Sequence, residues 1–281
     1  MFRSIATLLV ITAPTLGAQV VPSMGRGDPP IARVRPFITD DARVVGAGLA
    51  QVEVWTRSDR ESNQLWALGA VGPASWLELT IGGVAGTERG SVARTEPTPG
   101  RFTYALPLLQ AKTLLRPYRA GQGPGVAAVA GTFLPTGRGF LELPGHGTFA
   151  FVAASQALVP RWRGTPQAPD PPLVHVNVGV NRLWIGDGRD QTVATWGVGT
   201  QLPVRYGLHV VSELFSGDPY VPGSGTAWQA GVRHFVDERL QLDATLGRGI
   251  GGAAPLPLWW SAGVRIVAEL RHASRQRSSP R

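Results

Sequence analysis

The chain has 281 residues, with 36 glycines, 24 prolines and no cysteine, and only 16% of its residues are charged. That length allows one large domain or two modest ones, and the missing cysteines exclude a disulfide framework, a thiolate metal site and a lipid-modified N-terminal cysteine. The charge content lies below the roughly 25% usual for soluble globular domains, while the formal charge of +8 comes almost wholly from arginine, Lys112 being the only lysine. Those arginines are scattered over turns and the tail, with no face collecting them as nucleic-acid binding would require. In exposed loops of a membrane barrel they would meet anionic headgroups.

Met1-Phe2-Arg3 forms a short cationic start, Ile5 to Leu16 is apolar, and Leu16-Gly17-Ala18 offers small residues before Gln19. This pattern reads as an export signal cleaved after Ala18. Its apolar run is shorter than the roughly 20 residues of a spanning helix, and no later stretch reaches that length. Gln19 to Arg35 is Pro/Gly-rich and reads as an extended periplasmic lead-in.

From there the chain alternates. In Leu173–Leu183, Val174, Val176, Val178 and Val180 share one face of an extended segment, and His175, Asn177, Gly179 and Asn181 share the other. Period two with β-branched residues on one side reads as a half-exposed strand. Further strands are expected near 48–57, 63–71, 74–83, 104–115, 125–134, 147–158, 191–202, 206–215, 226–235, 239–247 and 258–270. Their length approaches the 9–11 residues that a tilted strand needs to cross a bilayer.

With the N-terminus in the periplasm, the connections at 72–73, 203–205 and 236–238 are periplasmic and short. Those at 84–101, 135–146, 216–225 and 248–257 are external and longer, the usual asymmetry of such barrels. One periplasmic connection, 159–171, breaks the rule. Trp184, Trp228, Trp259 and Trp260 fall at external strand ends, and Trp76, Tyr206 and Phe235 at periplasmic ends, as two aromatic girdles would. Trp55, Trp66 and Trp196 fall mid-strand instead. The expected fold is all-β: a closed antiparallel up-and-down transmembrane β-barrel of about twelve strands. Its parts are a signal peptide over 1–18, a lead-in over 19–47, the outer-membrane barrel over 48–270 and a polar basic tail over 271–281.

Several short motifs carry a resemblance. Arg35-Pro36-Phe37-Ile38-Thr39-Asp40-Asp41 before the first strand, Pro135-Thr136-Gly137, His175-Val176-Asn177-Val178-Gly179 and the 229–244 hairpin appear in that order. Together they resemble the MetA-pathway of phenol degradation family of outer-membrane proteins, over about residues 35 to 270. The resemblance implies an outer-membrane, transporter-like barrel passing small molecules, hydrophobic or aromatic ones included. It supplies no ligand residues. The chain departs from the usual pattern by continuing as a polar tail beyond its final strand.

Strand parity turns Glu53, Arg57, Glu78, Lys112, His175, Asn177, His209, Glu213, Arg233, Arg239, Asp243, Arg265 and Glu269 inward as candidate lumen-lining residues. Both signs are present, as an ion-paired wall or a selective path requires. Glu53 and Arg57 on the first strand should neighbour Arg265 and Glu269 on the last once the barrel closes. His175, His209 and Glu213 share a parity, yet no tight two-His ligand spacing appears, so no metal or cofactor is expected and the lining role is the simpler reading. Gly247-Arg248-Gly249-Ile250-Gly251-Gly252 is an external loop and not a phosphate loop, because the prolines after it forbid the required helix. Asp40-Asp41 most simply makes side-chain-to-backbone turns.

The Arg35–Arg43 segment, with Phe37, Asp40 and Asp41 as gating candidates, is expected to fold into or across the periplasmic mouth, its aspartates near Arg233 or Arg239; the alternative is a disordered leader followed by an ordinary turn outside the barrel. The partners implied are outer-membrane lipid and a small solute, and no nucleic acid. A passage protein and not an enzyme is expected. A hydrolase using a lumen histidine, for which no convincing serine partner is evident, and an adhesive barrel acting through its external loops are the alternatives.

Overall fold

The computed structural model describes residues 39–89, 100–119, 123–143, 145–159, 164–165, 170–185, 190–218, 221–252 and 255–270. The expected export signal, Phe37 and the tail from residue 271 lie outside these.

Twelve strands form one closed antiparallel barrel. They are β1 (Leu49–Asp59), β2 (Ser62–Ala74), β3 (Leu77–Glu88), β4 (Phe102–Arg116), β5 (Gly125–Arg138), β6 (His146–Ala157), β7 (Leu173–Trp184), β8 (Gln191–Arg205), β9 (Leu208–Asp218), β10 (Val221–Phe235), β11 (Leu240–Gly249) and β12 (Trp259–Glu269). Every strand pairs with its neighbours in sequence, and β1 closes on β12. Closure leaves no edge with unpaired backbone groups, which is the condition for a sheet to sit in hydrocarbon.

The alternation of the sequence becomes the two surfaces of the wall. On β7, Val176, Val178 and Val180 face outward, Val178 at 63% exposure, while Leu173, His175 and Asn177 are buried inside. On β11, Leu242 and Leu246 face outward and Gln241 and Asp243 inward. Apolar side chains left open on the outside of a closed sheet are the lipid-facing band of a membrane barrel.

The seam between first and last strands has the expected register. Glu53 lies directly opposite Arg265, and both are 1% exposed. Gln51 links them, accepting a hydrogen bond from Arg265 Nε at 2.6 Å and donating to Glu53 Oε1 at 2.6 Å.

We call the end where β1 begins and β12 ends the near mouth. Its turns at 75–76, 206–207 and 236–239 are tight. Tyr206 and Gly207 both have positive φ, 47° and 76°, the geometry of a two-residue hairpin that matches strand twist. The connection at 158–172 remains long at this mouth, with the strand count intact. At the far mouth the expected loop at 216–225 is mostly strand, because β9 and β10 extend to Asp218 and Val221.

Two aromatics depart from the expected girdles, and one mid-strand tryptophan turns outward. Trp259 is 4% exposed and Phe235 7%, so both point inward and leave the girdles. Trp259 lies beneath the Arg57 guanidinium at 4.5 Å, and Phe235 meets the His209 ring edge-on at 5.0 Å. Trp196, by contrast, faces outward at 39%. Parity explains all three: Trp259 shares a face with Arg265, Phe235 with Arg233, and Trp196 with Val198.

Inside the far half lie two apolar clusters. One joins Trp66, Val84, Ala105 and Phe133 with Leu141 and Leu143, which fold inward after β5. The other joins Phe215, Ala227, Leu256 and Trp259.

Candidate functional site

The near half of the lumen holds the segment Thr39–Val45, which runs inside the barrel before β1. Thr39, Asp40, Asp41 and Ala42 are each below 5% exposed. A chain segment there has no strand partner, so its backbone donors must be met by side chains. The wall meets four of them. Thr39 N–H donates to Glu213 Oε2 at 2.8 Å, Ala42 N–H to Ser155 Oγ at 2.9 Å, and Val45 N–H to Glu78 Oε2 at 2.7 Å. The Asn177 carboxamide, with its oxygen toward Asp40 N–H (2.6 Å) and its nitrogen toward the Asp40 carbonyl (2.8 Å), holds both groups of one residue. These bonds come from β3, β6, β7 and β9.

The two aspartates fix the segment electrostatically. Lys112 Nζ on β4 lies 2.9 Å from Asp40 Oδ1 and 3.9 Å from Asp41 Oδ1, with all three side chains almost fully buried. Asp41 also pairs with Arg43 at 3.5 Å and accepts the Arg43 N–H, the local turn expected of Thr-Asp-Asp. Burial pushes the Asp40 carboxyl up to about 6, against the lowering pull of Lys112. For Asp41 burial also acts upward, but Arg43 and Lys112 outweigh it and hold the carboxyl at about 2.

The expected partners of the aspartates were Arg233 or Arg239, and the cation in contact is Lys112. Arg233 is already engaged: its Nε donates to Asp243 Oδ1 at 2.8 Å and its Nη1 to Gln201 Oε1 at 3.0 Å. Arg239 and its partner Glu269 are not in the lumen. They keep inward parity but sit at the near rim, Arg239 just before β11 and Glu269 at the last position of β12, with side chains 58% and 66% exposed, and pair with each other there.

The remaining candidates, Glu53, Arg57, Glu78, Lys112, His175, Asn177, His209, Glu213, Arg233, Asp243 and Arg265, are all buried within the wall's inner face. His209 Nδ1–H donates to Gly207 O at 3.1 Å, and Asp170 Oδ2 lies 3.7 Å from Nε2.

Glycines shape the passage of the segment. A Cβ on Gly72 would fall 1.8 Å from Gly46 O, and one on Gly197 would fall 2.3 Å from Thr39 Oγ1. Gly46 and Gly48, with φ of 97° and 73°, bend the segment into β1, a conformation that side chains disfavour.

Sequence reasoning missed Ser155. It lies directly opposite His175 in register, with Oγ 2.8 Å from Nδ1. The signal was available, since Ser155 has inward parity on β6, but pairing register is not readable from one strand. Ser155 is 3% exposed and its Oγ accepts the Ala42 N–H. It holds the segment instead of facing a substrate.

No family model matches the sequence, and no curated protein matches it. Solved outer-membrane proteins share its fold. An outer membrane channel from Pseudomonas putida F1 superposes with a TM-score of 0.53 over 83% of this chain and 98% of that one, at 14% identity. The KdgM porin, solved in complex with disordered oligogalacturonate, gives 0.50 over 77% and 98%, at 7% identity. The chain is thus a barrel of the outer-membrane class, built like porins and channels.

Proposed function

We propose that this protein is an outer-membrane channel for small molecules of hydrophobic or aromatic character, closed in its resting form by its own lead-in segment. The observation that carries this reading is the seating of Thr39–Val45 across the near half of the lumen on Lys112, Asn177, Ser155, Glu78 and Glu213. A purely structural barrel gains nothing from holding buried aspartates against a buried lysine, which is costly to assemble. A channel gains a closed state. The near mouth then faces the periplasm, where the tight turns of an outer-membrane barrel belong.

The solute class draws on the resemblance to the MetA-pathway of phenol degradation family and on the lumen itself. In the far half, Trp55 and Trp66 stack at 5.4 Å and Phe133 and Phe149 meet at 5.1 Å, an apolar lining suited to apolar rings. The hydrolase alternative is disfavoured by the engagement of Ser155 beneath Ala42. An adhesive barrel would not need a displaceable segment.

Deleting residues 31 to 43 while retaining the export signal tests the proposal. In a planar bilayer the variant should conduct well above the intact chain, and liposomes carrying it should admit small aromatic solutes faster. Unchanged conductance with normal assembly removes the closure reading and leaves the segment as a tether.

A further inference from the structure

The wall beneath the segment is built to read a peptide as well as a charge. Along the seat, acceptors meet the N–H groups of Thr39, Asp40, Ala42 and Val45, and the Asn177 amide also donates to the Asp40 carbonyl. None of these contacts depends on which side chains the peptide carries. Selectivity enters at one point, where Lys112 takes the Asp40 carboxylate at 2.9 Å with that of Asp41 at 3.9 Å. Space is reserved as well: Gly197 leaves room for Thr39, and a Cβ there would clash at 2.3 Å.

We propose that this seat is a binding site for short acidic peptides supplied in trans, and that Thr39–Val45 occupies it as an internal ligand. The proposal rests on the closure reading and names what can displace the segment. Backbone recognition by main-chain hydrogen bonds gives affinity, and a single side-chain contact gives preference, as in other modes of extended-peptide capture. Two adjacent acidic residues are the preferred sequence, because a neutral pair leaves the buried ammonium of Lys112 without the partners it has here. In the intact chain the tether keeps the internal ligand at an effective concentration on the order of millimolar. A free peptide competes only near that level, whereas in a chain lacking residues 31 to 43 it has no rival.

The test uses the barrel without residues 31 to 43, reconstituted in a planar bilayer, and the peptide acetyl-Thr-Asp-Asp-Ala-Arg-amide. The peptide should lower the conductance saturably toward that of the intact chain. Its Asn-Asn counterpart should be at least tenfold weaker, and Lys112→Met should weaken the acidic peptide by a similar factor. If the deletion raises conductance but the acidic peptide does not reduce it, or the Asn-Asn peptide blocks equally well, the proposal is overturned while closure stands. If the deletion leaves conductance unchanged, closure fails by itself. Fluorescence anisotropy of the labelled peptide on the detergent-solubilised variant then reads the seat directly, and absence of saturable binding overturns the proposal. Should the deletion not assemble, a full-length chain carrying Asp40→Asn and Asp41→Asn serves, since its weakened internal ligand should let the labelled acidic peptide bind at least tenfold more tightly than the unaltered chain does. Equal binding by the two chains also overturns it.

Discussion

Replacing Lys112 with methionine removes the ammonium seated between Asp40 and Asp41 while roughly preserving side-chain length. At an effective dielectric near 20, unit charges at the observed separations attract by about 6 and about 4 kcal/mol. Desolvation of the buried ions cancels most of this, several kcal/mol for each. What matters is the loss of one partner, which costs about 3–5 kcal/mol because the carboxylates stay buried without their counter-charge. The barrel wall is fixed by its pairing, so the strain falls on the segment. Its three main-chain bonds to Glu213, Ser155 and Glu78 each oppose release by about 1–3 kcal/mol. The equilibrium between seated and released segment should therefore move by two to nearly four orders of magnitude.

The pH dependence has a definite sign. The Asp40 carboxyl is raised from 3.8 to about 6 when seated, so the seated state takes up a proton more readily than the released one. That contribution favours seating at low pH and is lost as pH rises through about 6. Lys112→Met should accordingly open the channel most at pH 8 and much less at pH 5, where Asp40 is neutral. Single-channel open probability in planar bilayers at the two pH values measures this. A variant that assembles normally yet gates like the parent at pH 8 would falsify the ion pair as the latch. Asp40→Asn should have a smaller effect, since Asp41 still faces Lys112 at 3.9 Å.

On β7, Val180→Arg places a charge in lipid and should cost about 2–4 kcal/mol, whereas inward Asn181→Arg should cost far less; urea unfolding from vesicles compares them, and equal losses would overturn the facing of the strand. Gly72→Ala meets the backbone oxygen of Gly46 at 1.8 Å and not a movable side chain, so it should destabilise the near rim by about 1–3 kcal/mol. Raised protease sensitivity around residues 46 to 48 would register it, and a parent-like digestion pattern would count against the close approach.

The strands were legible because one face of each must meet lipid. Period-two alternation in Leu173–Leu183 and Leu240–Leu246 survives any choice of register. The Glu53–Arg265 juxtaposition followed from closure, which pairs the first strand with the last, together with the opposite charges that the two strands turn inward. What could not be read was contact across the lumen. Asp40 meets Lys112 because the segment crosses toward β4, and nothing local in the Thr-Asp-Asp run encodes which wall it crosses. Arg233 appeared available only because its bonds reach other strands, to Asp243 on β11 and to Gln201 on β8. Trp259 and Phe235 were assigned by their place at strand ends, when their parity with Arg265 and Arg233 was the stronger guide. Arg239 and Glu269 show the converse error, since parity places a side chain inside only where a wall exists.

The anchors of the segment also impose an order on assembly. Thr39 is held by a residue 174 positions later in the chain, Ala42 by one 113 later, and Val45 by one 33 later. The residues leading into β1 therefore wait for strands made long after them. Contacts of such sequence separation form late, after the loops between them have closed. On the closure proposed above, the lumen must exist before it can be stopped, so a newly closed barrel is an open ring until the tethered segment finds its seat.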